Sequence, residues 1–273
     1  MVRTEALRSI SAVIPAAGRG ARLGLDVPKI LASLTPALTV WDALRTLLEP
    51  YVDDLHVVLS PFAVPFFESH LARVKKDNSR VSYSIQRLPL GMGDAVFTAV
   101  DHWQRFNDIL VIWGDQVFVS PQTIERAITL QRTAPPPSLT MPVCPTSAPY
   151  VDYVFDGSGR IARVLETREG DVCRPNGISD VGTFVLSTEG LAEAWREYAG
   201  TTKGRQTGEL NFLPFLAHLS SVRGWNTQHF EISDARESRG INTPDDLAFF
   251  RQLLAKKPQP TRGAAFSQRD REE

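Results

Sequence analysis

The segment Ala12-Val13-Ile14-Pro15-Ala16-Ala17-Gly18-Arg19-Gly20-Ala21-Arg22-Leu23-Gly24, followed by Val27-Pro28-Lys29, constrains the fold more than any other stretch of the chain. A short, β-branched apolar run that passes straight into small residues and glycines is the pattern of a parallel strand covered on both faces, with a loop at its carboxyl end. Glycine lets such a loop turn sharply and bring backbone N–H groups close to a ligand, which suits phosphate oxygens. Arg22 and Lys29 add two cations beside those amides. The segment reads as a grip for a triphosphate. Two commoner phosphate loops do not fit it. The dinucleotide fingerprint needs Gly or Ala where Leu23 stands, and the second strand, 55–60, lacks the terminal acidic residue that would hold a ribose hydroxyl. A P-loop lysine follows glycine and precedes Ser or Thr, whereas Lys29 lies between Pro28 and Ile30. A plain strand-to-loop connection with surface charge is the alternative.

Apolar runs at 12–15, 55–59, 81–86 and 109–113 alternate with helical patterns near 39–48, 64–74 and 93–105. This alternation predicts an α/β fold with a Rossmann-like, mostly parallel sheet covered by helices. The proline knot at 134–137 closes a donor-binding half of about 9–133. Beyond it, strand-like runs at 138–143, 151–155, 161–166 and 181–186, with helices near 188–198, 209–219 and 243–254, predict an elaborated, mixed acceptor-binding half of about 138–255. The whole of 9–255 is expected to form one domain. The polar stretch 256–273 is expected to be a disordered tail.

Lys+Arg 30 against Asp+Glu 31 leaves no global basic field, so nucleic acid is not an expected partner and any cationic site must be local. Cys144 and Cys173 have no C-x-x-C spacing and are too few for a metal cluster, which suits a reduced cytosol. No stretch resembles a signal peptide or approaches membrane-spanning length. The expectation is a soluble, cytoplasmic protein without a membrane partner.

Two further constellations carry chemistry. The run 109–113 leads into Gly114-Asp115, which places a carboxylate where open α/β sheets bind ligands. A carboxylate facing a triphosphate makes sense chiefly with Mg²⁺ between them, although a turn or N-cap aspartate is the plain alternative. Gln86, ahead of Leu90-Gly91-Met92-Gly93, puts an amide at a strand end before a glycine turn that opens a helix. It could read a nucleobase edge while Gly91 lets the base lie close; a surface glutamine at a glycine-rich helix entry is the other reading. Near the end, Asn242-Thr243-Pro244 suggests Thr243 as N-cap with Pro244 at the first helical position, which leaves Asn242 unexplained. The five histidines are scattered along the chain and read as structural or surface residues.

These features, in this order, resemble the nucleotidyltransferases that activate sugar 1-phosphates, in particular the uridylyltransferase domain of N-acetylglucosamine-1-phosphate uridylyltransferases. The resemblance runs from about residue 11 to 254. Ala16, Ala17, Gly18, Gly20, Arg22, Pro28 and Lys29 match that family's glycine-loop signature, with Ala21 in place of threonine. Gln86, Gly91 and Met92 fall in the segment that contacts uracil in those enzymes, again with a threonine replaced, here by Met92. The resemblance makes Asp115 and Asn242 the holders of catalytic Mg²⁺, Glu166 the glutamate that binds the sugar, and Glu209 a matching acceptor-side residue. It departs where Asp152 and Asp180 replace a glycine and an asparagine of the N-acetyl-sugar enzymes, so the acceptor pocket is expected to differ in shape and charge. The β-helix acetyltransferase part of the bifunctional enzymes has no counterpart in these residues.

The implied reaction is in-line attack of an acceptor phosphate oxygen on the α-phosphorus of a nucleoside triphosphate, UTP by resemblance, with release of pyrophosphate. The nucleophile is already an anion, so positioning and charge neutralisation by the loop amides, Arg22, Lys29 and Mg²⁺ suffice without a general base. The alternatives are a cyclitol phosphate, alcohol phosphate or phosphonate acceptor with CTP or GTP, and a nucleotide-binding descendant without catalysis.

Overall fold

The apolar runs at 12–15, 55–59 and 109–113 become the centre of one sheet, and the run at 81–86 forms its edge. In the computed structural model, which describes residues 8–18, 20–74 and 76–256, the first part of the chain runs β1 (Ile10–Pro15), a small hairpin of β2 (Ser33–Thr35) and β3 (Leu38–Thr39), α1 (Val40–Leu48), β4 (Asp54–Leu59), α2 (Val64–Arg73), β5 (Val81–Ile85), α3 (Met92–Thr98), α4 (Val100–Trp103), β6 (Asp108–Ile112) and α5 (Pro121–Thr133). The second part comprises β7 (Ser138–Ser147), β8 (Val151–Phe155), β9 (Ile161–Glu166), β10 (Asn176–Asp180), β11 (Thr183–Ser187), α6 (Leu191–Thr201), α7 (Phe212–Ala217), β12 (Asn226–Glu231) and α8 (Pro244–Lys256).

The main sheet has the order β10-β7-β11-β6-β1-β4-β5, with β12 beside β7, and β8 and β9 form a separate hairpin. β1 lies between β4 and β6 and is parallel to both. The chain therefore winds outward through β4 and β5, then returns to the other side of β1. That reversal between β1 and β6 opens a crevice outside their carboxyl ends, where doubly wound sheets bind ligands. Beyond β6 the sheet turns antiparallel through β11, β7 and β10. The expected mostly parallel first part and mixed second part of the sheet are both present.

Alternation along the strands sorts the core onto two faces. Ala12 and Ile14 of β1 pack with Leu55, Val57 and Leu59 and with Trp41, Leu44 and Phe67 of α1 and α2. Val13 faces the other way, with Val58 and Val111, against Val96, Trp103 and the aromatic layer of Trp195, Phe212 and Phe215. α1 starts with a reciprocal cap, Thr39 Oγ1 accepting from the Asp42 N–H and the Asp42 carboxylate accepting from the Thr39 N–H.

Several elements differ from expectation. The helix expected at 93–105 breaks at Ala99 into α3 and α4. The strand expected from 181 starts at Thr183, because Gly182 turns the chain with φ +69°. The helix expected at 209–219 starts at Phe212, since Leu210 pairs with the 90–93 loop. α5, β10 and β12 were not anticipated. α5 carries a readable signal in Ser120-Pro121, where the Ser120 hydroxyl caps the Thr123 N–H and proline takes the first helical position. α8 reaches Lys256; the tail expected from there falls at 257–273, outside the described residues. Among the described residues no helix is long and apolar enough to cross a membrane. Cys144 and Cys173 are both unpaired, and the rings of His56 and His102, far apart in sequence, stack at 4.0 Å.

Candidate active site

The glycine loop leaves the carboxyl end of β1 where its backbone is still held by β4, through the Ala16 N–H donating to the Val58 carbonyl. Ala17 and Gly18 follow on, and Arg19 lies outside the described residues. Gly20 has φ +59°, and a side chain there would press on Lys29 Cβ at 3.1 Å, so its bare backbone permits both the turn and the approach of the lysine. Ala21–Leu23 form one 3-10 turn that exposes Arg22 to solvent. The loop backbone, Arg22 and Lys29 thus all follow from the carboxyl end of β1.

Across that crevice, Gly114 and Asp115 continue from β6. Gly114 is close-packed, for a Cβ would lie 3.0 Å from the Pro15 carbonyl. Gly240 lets the loop before α8 fold over the aspartate, because its own Cβ would stand 3.1 Å from Asp115 Cγ. The Ile241 N–H then donates to the Asp115 carbonyl at 3.1 Å. Next in the chain, Asn242 is fixed from behind by Asp246, whose carboxylate accepts from the N–H groups of Asn242 and Thr243 while the Thr243 hydroxyl caps the Asp246 N–H. The Thr243 cap with Pro244 opening α8 is the arrangement the sequence suggested.

These constraints deliver three distant residues to one point. Lys29 Nζ donates to Asp115 Oδ2 at 2.7 Å and to Asn242 Oδ1 at 3.3 Å. A carboxylate and an amide oxygen converging on one cation is a donor set that Mg²⁺ accepts, provided substrate oxygens and water supply its remaining ligands. Among the described residues there is no cluster of three or more His, Cys, Asp or Glu that could cage a metal by itself. Asp115 and Asn242 fit Mg²⁺, and the ammonium of Lys29 lies between them.

At the end of β5, Gln86 is buried and its amide nitrogen donates to the Gly91 carbonyl at 3.0 Å and to Asp94 Oδ2 at 2.8 Å. Both donors are engaged within the chain, which leaves the amide oxygen for a ligand. Gly91 has φ +117°, and the space of its absent side chain is filled by the Leu210 backbone, at 2.8 Å from a would-be Cβ. The room the sequence suggested for a base beside Gly91 is on that side occupied by protein. Met92 opens α3, and Leu210 pins this turn, donating to the Leu90 carbonyl and accepting from the Gly93 N–H.

The acceptor-side residues divide. Asp152 is wholly buried and turned inward, a correction to the expectation that it faces the acceptor. Arg174 Nε and Nη2 donate to it at 2.8 and 2.6 Å, and the N–H groups of Arg174 and Ile178 complete its contacts. The Arg174 guanidinium holds its carboxyl down to about 2, against the opposing effect of burial. Glu166, at 2% exposure, accepts from Arg168 Nε through Oε1 while its buried Oε2 has no partner. Burial pushes its carboxyl up, Arg168 pulls the other way, and the negative charges of Glu169 and Asp180 add to the rise. Asp180 is likewise raised by burial, opposed by the Gly182 N–H at 2.7 Å. Tyr153, fully buried nearby, is raised by burial and by the charge of Asp180.

Arg168 is the residue the sequence did not reveal. Its guanidinium joins Glu166 to Glu209 at 3.1 Å and to Asn211 Oδ1 at 2.6 Å, bridging the end of β9 to the segment that Leu210 attaches to the 90–93 turn. Glu169 reinforces the bridge by accepting from Thr207, Gln206 and Asn211. Only its place two residues after Glu166 could have drawn notice.

Residues 12–209 match the family model described as the MobA-like NTP transferase domain. A bifunctional protein GlmU from Acidithiobacillus ferrooxidans is 26% identical over 252 residues, covering 90% of this chain and 52% of its own length. The GlmU of Aquifex aeolicus is 27% identical over 258 residues, covering 90% and 53% respectively. The chain thus spans about half the length of these relatives. Among solved structures, HddC from Yersinia pseudotuberculosis shares the fold with a TM-score of 0.61 at 18% identity, covering 89% of this chain and 99% of that one. The 4-diphosphocytidyl-2C-methyl-D-erythritol synthase of Anaerococcus prevotii does so with the same TM-score at 14% identity, covering 92% and 100%.

Proposed function

The chain belongs to the MobA-like NTP transferase family and is a nucleotidyltransferase that moves a nucleotidyl group onto a phosphorylated acceptor; on that premise we propose that its donor is UTP, its acceptor a sugar 1-phosphate or a close analogue, and its metal Mg²⁺. The observation that carries this reading is the convergence of Lys29, Asp115 and Asn242 at the crevice between β1 and β6. The glycine-loop amides hold the β- and γ-phosphates, and Arg22 offsets charge on the departing pyrophosphate. Lys29 neutralises the α-phosphoryl group during attack. Asp115 and Asn242 would hold Mg²⁺, which when bound offsets charge between the acceptor phosphate and the α-phosphate. No proton need be removed from the nucleophile, so the site's work is alignment and electrostatics. Gln86 presents its amide oxygen to the base, and Glu166, with Asp180 and Glu209, lines the acceptor side.

A second reading, with a cyclitol phosphate, alcohol phosphate or phosphonate as acceptor and CTP or GTP as donor, is favoured by one observation. Arg168 covers one oxygen of Glu166, the face by which the resemblance has the sugar held. Pyrophosphate release measured for four triphosphates against a panel of sugar, cyclitol and alcohol phosphates, with Mg²⁺, separates the readings. Turnover peaking with UTP and a sugar 1-phosphate supports the first; turnover confined to other pairs replaces it with the second.

A further inference from the structure

At the opposite pole of the sheet from the crevice, roughly 15–20 Å away by strand length, lies a cavity of about 790 Å³. It is walled by the chain entering β1, the 104–107 turn before β6, the end of α5 and the residues after β11. Three arginines line it, Arg8, Arg105 and Arg132, with Glu189 as the carboxylate on its rim. The chain as a whole is nearly neutral, so this concentration of cations is local.

Two of the three are fixed from behind. Arg8 Nη2 donates to buried Asp108 at 2.7 Å and to Ser187 Oγ at 3.1 Å. Arg105 Nη2 donates to His102 Nδ1 at 3.0 Å, and its guanidinium lies 5.4 Å from the centre of the Phe106 ring. Arg132, on the last turn of α5, reaches only the Arg8 carbonyl, at 3.5 Å. Among the described residues neither Arg105 nor Arg132 has a carboxylate within 4.0 Å. Asp108 accounts for Arg8 and the negative end of α5 for Arg132, which leaves Arg105 without a balancing charge among the described residues.

We propose that this cavity is a second anion site, which takes a small phosphorylated molecule, pyrophosphate or a phosphate ester, away from the transfer centre. Planar guanidinium forks match phosphate oxygens, and groups already held in place lose little freedom on binding. The cavity is broadly open to solvent, and its volume exceeds the needs of inorganic phosphate.

The test uses arginine side-chain Nε–H signals in NMR spectra of the full chain, assigned with Arg105→Lys and Arg132→Lys. Pyrophosphate, inorganic phosphate, UTP and a sugar 1-phosphate are titrated separately without divalent metal. The Arg105 and Arg132 signals should shift saturably with pyrophosphate, UTP or the ester, and whichever binds tightest identifies the source. Combined Arg105→Ser and Arg132→Ser should weaken that binding at least tenfold while turnover at saturating substrates is unchanged. Signals that stay still for every phosphate up to about 10 mM, that respond equally to sulfate, or that respond only to a polyanion such as heparin overturn the proposal.

Discussion

Replacing Lys29 by methionine keeps the length and apolar stem of the side chain and removes its charge, and the structure gives the consequences opposite signs in two assays. The ammonium is 2.7 Å from Asp115 Oδ2, a gross attraction of about 6 kcal/mol at an effective dielectric constant near 20. The pair is only partly buried, so desolvation and side-chain ordering reduce its net value to that of a charged hydrogen bond, about 1.5–3 kcal/mol. A divalent ion that binds Asp115 and Asn242 must displace this internal cation and loses that amount. At about 1.4 kcal/mol per tenfold, Lys29→Met should therefore bind Mn²⁺ roughly ten- to a hundredfold more tightly than the unsubstituted protein in the absence of nucleotide. Calorimetry or Mn²⁺ electron paramagnetic resonance reads this directly. Turnover should move the other way, falling by about 10²–10³ as expected for loss of a group aimed at developing charge. Mn²⁺ affinity unchanged or weakened in a folded Lys29→Met protein refutes the claim that lysine and metal share one position.

Asp115→Asn, which keeps the shape of the side chain, should abolish measurable pyrophosphate release without altering thermal stability by more than a few degrees; near-normal turnover excludes Asp115 from the metal site. Gly93→Ala would drive a Cβ to 2.1 Å from Trp195 Cη2 and 2.7 Å from the Leu210 carbonyl, and overpacking of that kind should cost about 1–3 kcal/mol, read as a fall in the denaturant midpoint at unchanged slope. For the Asp152–Arg174 pair the folded carboxyl lies at about 2, below its ordinary value, so its contribution is complete above pH 4 and lost as pH falls towards 2. Asp152→Asn should thus destabilise by about 1–2 kcal/mol at pH 7, discounted for the half-exposed guanidinium, and a stability gap that fails to narrow on acidification contradicts the assignment. Gln86→Ala should weaken discrimination among the four triphosphates more than it weakens triphosphate binding; unchanged selectivity assigns the base to another group.

The donor side of this fold was far more legible in the sequence than the acceptor side, for reasons that lie in the kinds of contact each uses. β1, β4 and β6 are almost wholly buried, so each shows as a mainly apolar run, whereas the edge strand β5 is half-buried and alternates as Val81-Ser82-Tyr83-Ser84-Ile85; the loop after β1 carries glycines whose roles are dictated by local geometry, as at Gly20. With β6 beside β1 and parallel to it, the carboxyl ends of the two strands bring Pro15 and Gly114-Asp115 together, the Gly114 N–H donating to the Pro15 carbonyl. The acceptor side is assembled from long-range side-chain partnerships. Asp152 looks like a pocket residue until Arg174, on another segment, is seen to engage both its oxygens. Glu166, Arg168, Glu209 and Asn211 form one bridge from two segments about forty residues apart, with no periodicity or fixed spacing to announce it. β12 was missed for a related reason, for its sequence Asn226-Thr227-Gln228-His229-Phe230-Glu231 is polar on an outer position and becomes a strand only by pairing with β7. The residues proposed to line the acceptor side are thus placed by contacts that tertiary packing creates. The Arg168 bridge makes this concrete: it ties the acceptor carboxylates to Glu209, and Leu210, the next residue, is bonded to the turn that carries Gly91. The segments proposed to hold base and acceptor are joined through two adjacent residues, so a substitution at Arg168 should alter the apparent affinity for the triphosphate as well as for the acceptor, whereas one at Arg22 should alter the former alone.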